Sequence, residues 1–219
     1  MYLLISLLCA AVTGAGGMFY LKSCFKEKEV GYTDRQKKLY IVITAVFFAA
    51  SAVVMGLFTS AESRTLIDHA KNLLLVYVLY FIAAIDFKTK LIPNKAVLAL
   101  LAAAVVLNAV QAFTEPESVQ YNLTEALLGC FIAGGIFLIG KLLSHNGMGM
   151  GDVKLMAVSG LMVGMNVIMA IVFWALFAAM ITGIVLMAVK KAKAKSTMPL
   201  GPFFFAGSVI CNIFFIING

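Results

Sequence analysis

The sequence predicts an all-α polytopic membrane protein of about eight transmembrane helices, some of them short, joined by short loops. Three observations lead there. The 219 residues are 63% hydrophobic and only 12% charged, against roughly 45–50% and 25% in an ordinary globular domain, so there is too little polar surface to cover a soluble body. The apolar residues fall in runs close to the ~20 residues that a span needs. The net charge of +7 is concentrated between alternate runs, as positive-inside topology requires. Residues 1–219 therefore read as one membrane-embedded domain, with no separate segment long enough to fold in water alone.

The first run, 2–21, opens with Met1-Tyr-Leu-Leu-Ile-Ser-Leu-Leu8. No basic residue precedes it, unlike a cleaved signal peptide, so it reads as a retained span. Runs at 39–58, 68–86, 96–113 and 123–143 follow at span length. The stretch Val153–Val189 is long for one helix and short for two. A single crossing would place Lys190, Lys191, Lys193 and Lys195 beside the acidic loops, against the charge bias. It is therefore read as two short helices, 153–165 and 167–189, broken near Gly164-Met-Asn166. Short helices are tolerated where protein rather than lipid surrounds their ends. A last run, 200–217, completes the set. With the N-terminus outside, the inner loops 22–38, 87–95, 144–152 and 190–199 and their flanks hold every Lys and Arg except Arg64 and Lys71. The outer loops carry Glu62, Asp68, Glu115, Glu117 and Glu125.

Several function classes are excluded. Topology accounts for the basic residues, so no nucleic-acid partner is expected. Cys9, Cys24, Cys130 and Cys211 form no Cys-x-x-Cys pair, which argues against a zinc ribbon or a disulfide framework. His69 and His145 fall on opposite sides in this topology, neither with a ligand partner at metal spacing, and no metal or cofactor is expected. Serine-nucleophile elbows, phosphate-binding loops and dinucleotide fingerprints are lacking. Phe203-Phe-Phe205 reads as core or lipid-facing, and Gly160-Leu-Met-Val-Gly164 as a close helix contact.

What needs a functional reading is a pair of aspartates at the ends of apolar runs. Asp86 closes Leu73–Ile85 and opens Asp86-Phe-Lys-Thr-Lys-Leu-Ile-Pro-Asn94. Asp152 ends Gly147-Met-Gly-Met-Gly-Asp152. A charge at membrane depth costs at least ~2.5 kcal/mol at a helix centre, so such residues are rare and functional by default. In the topology above both lie at the inner membrane face. Two carboxylates a few ångströms apart share one proton. One can then activate water as general base while the other polarises a peptide carbonyl and returns a proton. Gly149 and Gly151 clear side chains from the approach to Asp152, and Pro93 forces a turn that exposes Asp86. Each element alone is weak; their order and matched depth are what point to one site.

At these residues the chain resembles the type IV prepilin peptidases, a group of intramembrane aspartic peptidases with a Gly-x-Gly-Asp motif that includes the archaeal preflagellin peptidases. The matching parts are Asp86–Asn94, Gly149-Met-Gly-Asp-Val-Lys-Leu155 and Met198-Pro-Leu-Gly-Pro-Phe203, within residues 70–217. The resemblance implies catalysis by Asp86 and Asp152 without a cofactor. It implies as substrates prepilin-like proteins anchored in the bilayer, whose leader is removed at the cytoplasmic face of the cell membrane. It also makes Pro93, Asn94, Gly149, Gly151, Lys154 and Pro199 candidates for contact with substrate. The chain departs from many bacterial members at the loop Lys22–Lys38. That loop is short and holds only Cys24, so the paired-cysteine zinc insert that accompanies N-methylation cannot be built there.

Two other readings compete. Presenilin-like or signal-peptide-peptidase-like proteases also use Gly-x-Gly-Asp, and Met198-Pro-Leu200 is similar to their Pro-Ala-Leu motif. They place a tyrosine before the first aspartate, however, where Ile85 stands here. A small proton- or cation-coupled transporter is the non-enzymatic reading, but the chain shows no repeat of halves. Oligomeric state is not legible.

Overall fold

A computed structural model describes residues 66–144, 148–189 and 198–218, together with the isolated positions 6, 10, 14, 44, 46 and 49, all helical. The rest of runs 2–21 and 39–58, the loop 22–38, His145 and the lysines at 190–195 lie outside the described residues. Six helices follow in order: α1 (Leu66–Thr89), α2 (Asn94–Thr114), α3 (Val119–Leu143), α4 (Met150–Val163), α5 (Met165–Ala188) and α6 (Gly201–Asn218). A 3-10 turn, Pro116–Ser118, joins α2 to α3. They fall on the six runs predicted for this part of the chain, and no strand occurs among the described residues.

Among the described residues four helices are long and apolar enough to cross a membrane: α1, α2, α3 and α5. Of the two helices predicted after Asp152, at 153–165 and 167–189, only the first is short. α4 is short at 14 residues, about 21 Å against a hydrocarbon core of about 30 Å. α5 has 24 residues and is a full span. The break between them falls at Gly164, whose φ of 82° lies in the left-handed region that glycine alone enters freely. Gly164 thus ends α4 and starts α5, and it also packs against α3, where a β-carbon on Gly129 would lie 2.8 Å from its carbonyl carbon.

The helices divide into an inner and an outer set. In α1, 67% of the apolar span is buried, against 22% in each of α2, α3 and α5. α4 is surrounded by α1, α2, α3 and α5, and α6 fills the groove between α1 and α5. The core runs through Leu75, Leu79 and Ile82 of α1, Leu155 and Met156 of α4, Ile168 and Ile171 of α5, and Phe204 of α6. Phe204 meets Phe137 of α3 edge to face at 5.3 Å. Exposed Phe131, Leu138, Phe173, Phe177 and Ile184 lie on the outer helices, where a bilayer would solvate them. In lipid there is little hydrophobic force between helices, so close backbone approach does more of the work. Gly129 of α3 and Gly160 of α4 meet this way. A β-carbon on Gly160 would run into the Gly129 carbonyl, and one on Gly129 would lie 2.6 Å from the Gly160 oxygen.

Gly160→Ala is expected to lower stability by roughly 1–3 kcal/mol, the usual cost of overpacking. Gly135→Ala is the control, because its β-carbon would meet nothing within 4 Å. Thermal unfolding of both variants in one detergent measures the difference.

Candidate active site

Each aspartate is held by a backbone N–H at the start of a helix. Asp86 sits in the last turn of α1 and is 4% exposed. Its Oδ2 accepts from the Gly201 amide at 2.8 Å, across 115 positions of sequence. Gly201 is the first residue of α6, so its N–H is one of the orphan donors that every helix start leaves. The positive end of the α6 dipole therefore points at the carboxylate. The approach requires glycine: a β-carbon at position 201 would lie 2.9 Å from Asp86 Oδ2 and 3.0 Å from Asp86 Cβ.

Asp152 is the third residue of α4, whose N-cap is Gly149. Its Oδ2 accepts from the Gly149 N–H at 3.2 Å. This is the backward half of a capping box; the forward half needs a side chain that glycine lacks. Asp152 is half-buried, and the charge of Asp86 acts on it electrostatically. The two carboxylates, 66 positions apart in sequence, are thus brought to one end of the bundle by α1 and α4. They are not equivalent. Asp86 also faces the negative end of its own helix, whereas Asp152 stands in the positive first turn of its own.

The other predicted residues gather around this pair. Lys90 has a φ of 51°, and its N–H closes the last turn of α1 on the Asp86 carbonyl at 2.8 Å. The chain then turns through Leu91 and Ile92 to Pro93, the N-cap of α2 with a ψ of 124°. Ile92 packs under Gly151, where a β-carbon would come within 2.8 Å. Asn94 begins α2, and its Oδ1 accepts from Lys154 Nζ of α4 at 3.4 Å. Pro199 is half-buried immediately before α6. Phe87 and Leu91 are exposed beside the pair and offer an apolar surface at its edge.

Two features are not foreseen from sequence. The first is the Gly201 amide. Its motif is visible, but only the fold shows that its N–H, rather than Pro199, reaches Asp86. The second is a polar cluster at the other end of the bundle, where Lys71, an outer-side exception to the charge bias within run 68–86, is buried at 4% exposure within α1. Its signal is Asn108 and Gln111, two amides at helical spacing in an otherwise apolar run. His69 is also buried, and its Nε2 hydrogen-bonds Ser6 Oγ at 2.9 Å, a structural placement. Among the described residues no group of three His, Cys, Asp or Glu could hold a metal ion.

Asp86→Asn keeps an acceptor for the Gly201 N–H, so thermal unfolding should show it folded like the native chain. Asp86→Leu leaves that buried donor unpaired and should lose about 1–3 kcal/mol, measured in the same way.

Comparison with known proteins places this geometry in context. The model of a family described as the type IV leader peptidase family matches residues 73–184, half of the chain. The match includes Asp86 and Asp152 and ends before Gly201. The chain is 28% identical over 132 residues to the prepilin leader peptidase/N-methyltransferase of Stutzerimonas stutzeri, covering 60% of this chain and 45% of that protein. It is 26% identical over 177 residues to the Bacillus subtilis protein of the same name, covering 79% of this chain and 64% of that one. The Pseudomonas aeruginosa counterpart is 26% identical over 132 residues, with 60% and 44% covered. The chain thus spans between about half and two thirds of the length of these relatives. No solved structure matches it.

Proposed function

The chain belongs to the type IV leader peptidase family, and from that premise we propose that it is a membrane-embedded aspartic endopeptidase that removes the N-terminal leader of prepilin-like precursors. The observation that carries this reading is the convergence of Asp86 and Asp152, from separate helices, at one end of an apolar bundle. Capping a helix needs one carboxylate oxygen. It does not need two carboxylates from separate helices at the same end of the bundle, where the charge of one acts on the other.

The pair holds one proton between its members. The ionised carboxylate takes a proton from water, and the water oxygen attacks the scissile peptide carbon. The protonated carboxyl donates to the carbonyl oxygen as charge develops there. When the C–N bond breaks, the departing nitrogen receives a proton from one carboxyl while a hydroxyl of the tetrahedral intermediate returns its proton to the other carboxylate, and the original protonation state returns. The Gly201 and Gly149 amides each fix one carboxylate oxygen in place, which holds the acid and base in position before substrate arrives. Pro93, Asn94, Gly149, Gly151, Lys154 and Pro199 form the rim over which an extended leader peptide passes. Gly149, Lys154 and Asn94 are exposed there.

Cleavage occurs at the cytoplasmic face of the cell membrane, in a protein of about eight spans that include 2–21 and 39–58. The support is the distribution of basic residues: Lys88, Lys90, Lys95, Lys141 and Lys154 all fall at the aspartate end of the described helices, which makes that end the inner one. N-methylation is not part of the proposed activity. The names of the relatives couple it to leader cleavage, but the sequence has no paired cysteines for a zinc insert.

Asp86→Asn and Asp152→Asn should each lower leader cleavage at least about 10²-fold, the smaller end of what a positioned acid or base contributes, while the protein still inserts in the membrane. Incubating purified protein with candidate prepilins and sequencing the new N-termini measures this. Cleavage at native rate by either inserted variant would refute the assignment.

A further inference from the structure

The two aspartates stand on α1 and α4, yet α4 packs mainly against α3. What joins the reactive ends of α1 and α4 is the segment between α1 and α2. α1 ends at Thr89 and α2 begins at Asn94, so only Lys90, Leu91, Ile92 and Pro93 lie between them.

Each step of that segment is constrained. Lys90, at a φ of 51°, adopts a left-handed conformation uncommon for a residue with a β-carbon, and it turns the chain out of the helix. Its N–H donates to the carbonyl of Asp86 itself at 2.8 Å. Thr89 Oγ1 donates to the Ile85 carbonyl at 2.9 Å and reaches the Leu91 carbonyl at 3.4 Å. Pro93 confines the Ile92 backbone to extended conformations. The β-branch of isoleucine stiffens its side chain as well. Ile92 is thus a rigid group on a tight turn that starts at Asp86.

The other end of this link is α4. Ile92 is half-buried and packs on the core. A β-carbon on Gly151 would lie 2.8 Å from Ile92 Cβ, 3.5 Å from its Cγ1 and 3.7 Å from its Cα. The α4 backbone directly before Asp152 therefore rests on Ile92. Three positions on, Lys154 Nζ donates to Asn94 Oδ1 at 3.4 Å. Positions 151 and 154 share one face of a helix, so the segment after α1 holds that face along the first turn of α4. Asp152 cannot shift without Gly151 shifting too. Six positions of chain and one side-chain contact thus connect Asp86 to Asp152. The contact also requires position 151 to be small, whatever passes over it.

We propose that Ile92 is a positioning residue for the aspartate pair: seated on Gly151, it sets how far Asp152 stands from Asp86. Its effect on cleavage rests on the peptidase reading; its effect on the pair does not.

The test uses the purified full-length protein and two measurements. The first is leader cleavage of a candidate prepilin. Ile92→Gly should lower kcat about 10- to 100-fold, the scale of a small misplacement of reacting groups, and leave KM within about twofold. Ile92→Val keeps the β-branch and should recover most of the loss. Gly151→Ala should also lower kcat. Combining it with Ile92→Gly moves the β-carbon from one side of the contact to the other, so the double variant should be faster than Gly151→Ala alone. Two residues that acted independently would multiply their losses instead.

The second measurement needs no substrate. The chain has four aspartates, Asp34, Asp68, Asp86 and Asp152, so γ-carbon labelling allows NMR to follow each carboxyl against pH, with Asp86→Asn and Asp152→Asn assigning the pair. The charged side chains at this end, Lys90, Lys95, Lys141 and Lys154, are the same in every variant. In Ile92→Gly the two titration steps of the pair should lie closer together, because a carboxyl no longer held beside its partner couples to it less. Ile92→Ala, which loses the γ-carbons, takes its place if the glycine variant does not fold. Unchanged titration steps would overturn the proposal. So would a change in KM alone, or multiplied losses in the double variant. Absence of any prepilin cleavage by the native chain would count against the peptidase reading, and the titration would still decide the role of Ile92.

Discussion

A carboxylate buried in an apolar bundle has few ways of being solvated, and Asp86 takes one: the N–H of Gly201, 115 positions away. That bond ties the end of α1 to the start of α6. It also dictates the residue at position 201, because a methyl group there would displace the acid it holds. α6 can begin at that depth only because its first N–H has a partner, and Asp86 can be buried at 4% exposure only because a helix start faces it. The same logic repeats at α4, where Asp152 takes the N–H of Gly149. Two helix starts and two acids thus define one end of the molecule.

The shortness of α4 follows from this arrangement. Its N-terminus must stand level with the end of α1 for Asp152 to feel Asp86. With 14 residues it then runs out inside the membrane. Gly164 reverses the chain there at positive φ, and the Gly129–Gly160 contact clamps the helix against α3 just before the reversal. The depth left open above Gly164 would expose unsatisfied carbonyls to lipid were it not filled with polar groups. Asn108 does part of this, with Nδ2 donating to the Leu161 carbonyl at 2.9 Å. One short helix therefore creates both a reactive end and a polar vestibule at the other.

How much of this could be read without coordinates differs from element to element. The six described helices fall on predicted runs because span length and apolar content are local properties of the chain. The break at Gly164 was placed within two residues by charge bias, a rule about loops rather than packing. The same rule leaves Lys71 as an unexplained exception on the outer side. It counts basic residues near span ends, and cannot see that Asn108 and Gln111 on another helix offer a lysine two acceptors inside the bundle. The run 167–189 and α5, Met165–Ala188, agree to within two residues at each end.

By itself the chain determined the membrane class, the helical runs, the two acids and the glycines beside them, since each is written in contiguous residues whose spacing or transfer cost is fixed wherever they fold. Tertiary structure alone decided which N–H holds each acid, that α4 stops short, and that Lys71 is buried against amides of another helix. Those depend on helices separated by tens of residues meeting at a particular depth and rotation. The packing of side chains and glycine contacts sets that rotation, and no periodicity within a single helix encodes it.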